Sequence, residues 1–389
     1  MKRAYKFRLY PREHQKQILE KTLNTCRHLY NGCLAERKNT WEQQAKSISY
    51  KEQKRALVQA KKASLYLPQV HSQVLQDVVL RLDRTFQNFF RRIELRKQGV
   101  RIKAGYPRFK SRNRYDSFTY PQYGNGCEIK DGRLWLSKIG NLRIFMHRPI
   151  EGDIKTCTIR RDVDKWYACF TVETPNVARR RELRSSVGID MGLTDIVTLN
   201  NGEKIMAPKH LRKSEKQLRR EQRRLSRRKR QSNNRRKQRL KLARRHRRIR
   251  YQRLDFAHKV SRTLVNQFDL IGFEKLNIPG MMRNHRLAKS ISDAGWQQIQ
   301  TFTVYKAAEA GGLVRFVNPS GTTSECSKCG FQVPKELSVR IHTCPRCGLI
   351  MGRDLNSAKV VEKRVRWGTA EFTPVDTTPL QPSYRSLQA

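Results

Sequence analysis

Apolar residues change their period along the chain, and each period predicts an element. From Ala4 to Leu9 apolar and basic residues alternate, as in a half-buried strand, and Pro11 ends the run. From Arg12 to about Lys38, Ile18, Leu19, Leu23, Cys26, Leu29, Tyr30, Cys33 and Leu34 recur at helical spacing. A more polar helix is predicted over 51–63. A third follows Pro68, with Val74, Leu75, Val78, Val79, Leu82 and Phe86 on its apolar side. The period then returns to two: Asp131-Gly132 is a tight-turn signal before Leu134-Trp135-Leu136, Leu142, Ile144 and Met146 alternate, and Trp166 to Val172 is strand-like. The expectation is a small antiparallel β-barrel from 1–10 and 99–175, interrupted by a helical bundle over 11–98. Residues 176–186, with Arg179, Arg180 and Arg181, read as a linker.

A second pattern begins at Val187. Two apolar segments, Val187–Asp190 and Ile196–Leu199, are followed by the hairpin signal Asn201-Gly202. Residues 212–253 contain 22 Lys or Arg against only Glu215 and Glu221, a density that predicts two cation-rich helices, with Ser232-Asn233-Asn234 as the turn between them. Phe268 to Glu274 reads as a buried strand, 277–288 as a polar loop, 290–312 as one helix and 313–317 as another strand. A last helix runs through Arg366, and the Thr-, Pro- and Ser-rich residues 368–389 read as a flexible tail.

The net charge of +50, from 83 Lys and Arg against 33 acids, calls for a polyanion as partner, because binding many phosphates releases counterions. The basic, aromatic-interleaved segment 100–120, including Lys110, Arg112 and Arg114, suits phosphate contact and base stacking. Arg227, Arg228, Arg235 and Arg244 represent the same chemistry in the 212–253 insertion. No apolar run nears the roughly 20 residues of a membrane span, and the start lacks a signal peptide's hydrophobic core. A cytoplasmic, nucleoid-associated protein is expected.

Cys326-Ser-Lys-Cys329 and Cys344-Pro-Arg-Cys347, 14 residues apart and each followed by glycine, spell a zinc ribbon over 320–349. Four thiolates leave no open position, so this Zn²⁺ is structural. His342 lies close to the last pair, but four cysteines already complete the set. The remaining cysteines, Cys26, Cys33, Cys127, Cys157 and Cys169, are scattered and read as small apolar residues or idle thiols. Neither a Ser/His/Asp set nor a GxxxxGK loop occurs, and His285 reads as a surface or phosphate contact.

Three carboxylates stand where elements end or begin. Asp190 ends an apolar segment, Glu274 ends a buried-type strand, and Asp354 starts the last helix. Asp354 taken alone would be no more than a helix-start carboxylate. Ligands of open α/β sheets gather at strand carboxyl ends, so the three can converge, and three such groups require cations, most often a pair of Mg²⁺ ions.

The segments GIDMGLTDIVTLNNG, FEKLNIPGMMRNHRLAKSISDAGW, NPSGTTSECSKCG and CPRCGLIMGRDLNSA resemble, in order and spacing, the TnpB family of transposon-encoded proteins, related to type V CRISPR effectors. The amino-terminal KRAYKFRLYPREHQKQILEKTLNTCRHLYN and GYPRFKSRNRYDSFTY are similar to that family too. The resemblance implies an α+β multidomain protein: the interrupted barrel grips a guide RNA, and an RNase H-like (RuvC) α/β nuclease domain follows over 187–319 and 350–367, carrying the basic insertion and the ribbon. It implies an RNA-guided DNA endonuclease, with Asp190, Glu274 and Asp354 catalytic and holding two Mg²⁺. It also implies a transposon-derived noncoding guide RNA, a double-stranded DNA target and a monomeric ribonucleoprotein. By the same analogy Gln76 and Thr119 read the short motif beside the target. Gly352 departs from the family, which often carries Asp there, and Ser357 stands where Ala is common. A strand-transferring transposase and a guided repressor that does not cut remain as alternatives.

Overall fold

The computed structural model describes residues 2–174, 182–336 and 338–367; the arginines at 179–181 and the expected tail at 368–389 lie outside the described residues. The chain divides into two compact units, Met1–Asn176 and Val177–Ala389.

In the first unit, β1 (Lys2–Tyr10) leads into α1 (Glu13–Gln44), α2 (Tyr50–Ala63) and α3 (Ser72–Lys97). The strands β2 (Ser117–Tyr120), β3 (Cys127–Lys130), β4 (Arg133–Leu136), β5 (Gly140–Phe145), β6 (Asp153–Asp162) and β7 (Lys165–Glu173) follow. The apolar stripe read from sequence is the buried face of α1: Leu19, Leu23, Cys26, Tyr30 and Leu34. Ser49 and Glu52 form a reciprocal capping box that starts α2. Arg37 ties α1 to α3 through Asp83 at 3.1 Å.

All seven strands are antiparallel, in the order β2-β6-β7-β1-β5-β4-β3. β1, first in the chain, sits in the middle, so the sheet is completed only after the helices. The expected closed barrel is not formed: β2 and β3 remain as edges. The segment joining them forms no strand: Pro121 has no N–H to offer a ladder, and Gly124 and Gly126 turn at φ 85° and 87°.

The second unit begins with β8 (Ser186–Asp190), β9 (Asp195–Leu199) and β10 (Lys204–Met206), then α4 (His210–Ser226) and α5 (Asn233–Gln267). β11 (Leu270–Glu274), α6 (Ile278–Met281), α7 (His285–Ala294), α8 (Trp296–Ala310) and β12 (Leu313–Val317) come next. β13 (Ile341–Thr343), β14 (Ile350–Gly352) and α9 (Arg353–Trp367) end the described chain. The five-stranded sheet runs β10-β9-β8-β11-β12, with β8, β11 and β12 parallel and β9 antiparallel to both of its neighbours, β8 and β10.

Strand periodicity sorts the residues of the two central strands. Val187, Ile189, Ile271 and Phe273 pack with Val260 and Leu264 of α5 and Ile299 of α8. Ser186, Gly188, Leu270 and Gly272 meet α9 through Glu362, Ala358, Val361 and Val365. Continuing that alternation puts Asp190 and Glu274 on the α9 side. The single helix expected over 290–312 is broken, because Gly295 adopts φ 68° and both ends α7 and begins α8. The two cation-rich helices are present, with Ser232 capping α5 by accepting from the Arg235 amide. α5 extends past the insertion, however, and its carboxyl-terminal half joins the core through Ala257, Val260, Leu264 and Val265.

Candidate active site

Asp190 and Glu274 are the last residues of β8 and β11, and the register Ile189–Phe273 makes them neighbours at the carboxyl ends of two parallel strands. Asp354 comes from the first turn of α9. α9 can reach them because Gly188 and Gly272 clear its path. A Cβ on Gly188 would lie 2.1 Å from the Ala358 carbonyl oxygen and 2.3 Å from the Glu362 amide nitrogen, and one on Gly272 2.5 Å from Val365 Cγ2.

Electrostatics follow from this convergence. Burial, then the charges of Glu274 and Asp354, push the Asp190 carboxyl up to about 7. Burial also raises Glu274, against the pull of the Thr322 hydroxyl and of Arg364. The Ser357 hydroxyl is buried and makes no well-formed hydrogen bond, yet it lowers both Asp190 and Glu274. Arg353 holds the Asp354 carboxylate at 3.2 Å. Mutually repelling carboxylates with an unengaged hydroxyl between two of them are a donor set suited to a hard divalent cation.

The four ribbon cysteines are brought together, their Sγ atoms within 4.8 Å of one another, with Cys326–Cys347 and Cys329–Cys344 both at 3.6 Å. This cluster can hold zinc. The two knuckles are alike: the Gly330 amide donates to the Cys326 carbonyl and the Gly348 amide to that of Cys344, with both glycines at positive φ. Burial opposes ionisation of Cys344, but the amides of Cys347 and Arg346 and the adjacent thiols draw it down to about 6. His342 is fully buried beside this set, its Nδ1 in contact with Lys335 Nζ, and lowers Cys326 without being one of the four. Cys26, Cys33, Cys127 and Cys157 are buried and Cys169 is half-buried; burial pushes the Cys26 thiol up to about 12, which makes it inert.

The nucleic-acid candidates occupy varied surroundings. Gln76 is half-buried on α3. Thr119 is already engaged by Arg81 and by Thr158, the latter at 2.8 Å. Lys110 turns inward over the Tyr30 ring, 5.8 Å from its centroid, whereas Arg112 and Arg114 are exposed. Arg227, Arg228 and Arg244 are exposed on the α4–α5 hairpin. Arg235 serves the hairpin itself, donating to the carbonyls of Leu225 and Arg228 at 2.8 Å each.

Sequence reasoning missed the residues that hold the carboxylates in place. Trp296 Nε1 donates to the Gly192 carbonyl at 2.9 Å, fixing the turn after Asp190, and Gln300 Nε2 donates to the Glu274 carbonyl at 3.3 Å. Thr322 donates to Glu274 Oε1, and Asn356 fastens α9 to the ribbon by accepting from the Ser327 amide and donating to the Glu325 carbonyl. The available signal was polarity on an apolar face: Gln300 and Thr303 follow Trp296 and Ile299 at helical spacing. Asp293 was overlooked as well. It is buried, accepts from the Leu211 and Arg212 amides at the start of α4, and pairs with Arg253 at 3.0 Å.

Taken as a class, this is an α+β chain with a carboxylate cluster at strand ends and a cysteine ribbon stitched to it. Residues 169–285 match a family model described as a probable transposase, 296–361 one described as a Cas12f1-like TNB domain, and 1–46 one described as a helix-turn-helix domain. The described residues of that span fold here as β1 followed by α1. A protein of Streptomyces pristinaespiralis that carries the provisional name RNA-guided DNA endonuclease is 34% identical over 368 residues, 92% of this chain and 88% of that one. InsQ of Escherichia coli (strain K12), with the same provisional name, is 32% identical over 374 residues, 92% of this chain and 90% of that one. The solved structure of the mini RNA-guided endonuclease CRISPR-Cas phi3 matches with a TM-score of 0.50 at 11% identity, covering 96% of this chain and 94% of that one, a likeness of fold. The chain belongs to the TnpB family.

Proposed function

We propose that the protein is an RNA-guided DNA endonuclease of a bacterial insertion sequence, cutting double-stranded DNA beside a short adjacent motif by metal-dependent phosphodiester hydrolysis. The observation that carries this reading is the meeting of Asp190, Glu274 and Asp354 beneath the start of α9, with Asp190 pushed up to about 7. In this reading the five-stranded sheet is the RNase H-like core. Asp190, Glu274 and Asp354 would together hold the divalent cations, taken here as two Mg²⁺. Bound there, Mg²⁺ neutralises the cluster and supplies Lewis-acid stabilisation to the scissile phosphodiester. The chain's own part is to orient: α8 pins the backbones behind Asp190 and Glu274 through Trp296 and Gln300, and Thr322 and Arg353 direct two of the carboxylates.

The partners follow from charge and from the relatives' names. A net charge of +50 suits a chain that carries a guide RNA and admits a target duplex, with base pairing rather than protein reading most of the sequence. We assign the RNA to the antiparallel sheet of 1–10 and 99–175 and the adjacent motif to the bundle of 11–98, with Gln76 its reader. The exposed arginines of the 212–253 hairpin hold the nucleic-acid backbone, and 320–349 is the zinc ribbon. Among the described residues no helix is long and apolar enough to cross a membrane. We take the working form to be a monomeric ribonucleoprotein of the cytoplasm.

The test is to purify the protein with its co-expressed RNA, sequence that RNA, and challenge the complex with matched plasmids bearing randomised flanks in Mg²⁺. Linear product restricted to matched targets with one enriched flank, and lost in Asp354→Ala, supports the reading. Binding without cutting would favour a guided repressor, and joined ends in the absence of a guide would favour a strand-transferring transposase.

A further inference from the structure

Thr322 has one hydroxyl proton and two acceptors within reach. Its Oγ1 lies 2.5 Å from Glu274 Oε1 and 2.9 Å from the Pro319 carbonyl oxygen, and the residue is 1% exposed. An ionised carboxylate takes such a proton in preference to a carbonyl, so the hydroxyl turns to Glu274 when that side chain is charged. Thr322 does not belong to the sheet that carries Glu274. It stands four residues before Cys326, in the segment whose next turn bonds the Glu325 amide to the Gly321 carbonyl and the Cys326 amide to that of Phe331. That segment is fixed to α9 by Asn356, through Ser327 at 2.9 Å and Glu325 at 2.7 Å, and by Arg364, which pairs with Glu325 at 2.7 Å. Glu274 therefore takes its side-chain orientation from the approach to the ribbon, while only its backbone comes from β11.

We propose that Thr322 is a positioning residue that holds the Glu274 carboxylate in its cation-binding orientation, which makes the cation affinity of the carboxylate cluster depend on the folded ribbon. This rests on the reading of Asp190, Glu274 and Asp354 as the divalent-metal site. A hydrogen bond of this kind behind a ligating carboxylate is worth on the order of 10- to 100-fold in metal affinity.

The probe is Mn²⁺ alone, titrated into the full-length, zinc-loaded, nucleic-acid-free chain and followed by the electron paramagnetic resonance of unbound Mn²⁺. Thr322→Val, which keeps the shape and removes the hydroxyl, is expected to weaken Mn²⁺ binding on the order of 10-fold or more. Thr322→Ser is expected to restore it, with zinc content by mass spectrometry unchanged in both. Wild-type Mn²⁺ affinity in Thr322→Val overturns the proposal. Equal losses in the Val and Ser variants, or loss of zinc from Thr322→Val, overturn it too, since shape or ribbon folding would then be what Thr322 supplies. Asp190→Ala separates the two levels. If it leaves Mn²⁺ binding intact, the metal-site reading fails; if it removes binding while Thr322→Val does not, only the role of Thr322 fails.

Discussion

Gly188 and Gly272 are register partners on adjacent parallel strands, and α9 lies directly over both. The pair forms a trough without side chains that lets the last helix bring Asp354 down to the strand ends. The two positions are not equivalent. At Gly188 the obstacle to a Cβ is backbone of α9, and at Gly272 it is the Val365 side chain. Gly188→Ala should cost about 3 kcal/mol through overpacking, and Gly272→Ala less because the atoms it meets belong to the side chains of Val365 and Val361, not to backbone. Thermal unfolding checks the order, with about 2–4 °C expected per kcal/mol.

Replacing any of the three carboxylates by its amide, Asp190→Asn, Glu274→Gln or Asp354→Asn, should lower Mg²⁺-dependent cleavage on the order of 100- to 1,000-fold. Co-purified RNA should be retained in each. Cleavage assays on matched plasmids and RNA quantification in the same preparations make the comparison.

Asp190 also sets a pH dependence. Its ordinary value of 3.8 is raised to about 7 in the folded chain, so between those values the folded state holds a proton that the unfolded chain has released. Its contribution to stability is complete below about pH 4 and is lost as pH rises through about 7. Metal-free protein should therefore melt at a lower temperature at pH 8 than at pH 5. The difference between wild type and Asp190→Asn isolates this group, and added Mg²⁺ should restore much of the loss at pH 8.

The exposed and the committed arginines of the hairpin should separate experimentally. Arg227→Ala and Arg228→Ala should each reduce the slope of log affinity against log salt by about 1 if they meet phosphates, with unchanged melting. Arg235→Ala should instead loosen the α4–α5 turn, because its guanidinium bonds the carbonyls of Leu225 and Arg228. Filter binding across a salt series and circular dichroism melting distinguish the two behaviours.

Gly352 tests the departure from the family. No atom lies within 4 Å of a Cβ built there, and its φ is not among the positive ones, so Gly352→Asp should fold with stability within about 0.5 kcal/mol of wild type. Denaturant unfolding measures this directly.

Elements governed by a short period were legible in the sequence: β1, the stripe of α1, the cysteine knuckles and the start of α9 follow from local spacing. The three carboxylates were legible because each stands at an element's end. What lay hidden was non-local. Whether β2 and β3 meet depends on how a sheet assembled around β1 curves, which no local pattern encodes, and the closed barrel was not found. Gly295 breaks a continuous apolar run through a single left-handed residue. Thr322, Asn356 and Ser357 look like ordinary turn or helix residues until the ribbon and α9 fold back over β8 and β11.

The place of α9 in the chain also sets when the carboxylate cluster can exist. A ribosome that has delivered β8, β11 and α8 has produced Asp190 and Glu274, but Gly188 and Gly272 are still uncovered and Asp354 has not been made. The ribbon must then be synthesised before α9 can dock. Synthesis from the amino terminus therefore completes the antiparallel sheet and the cation-rich helices α4 and α5 before the three acids can meet, so an unfinished chain carries most of its positive charge without its carboxylate cluster.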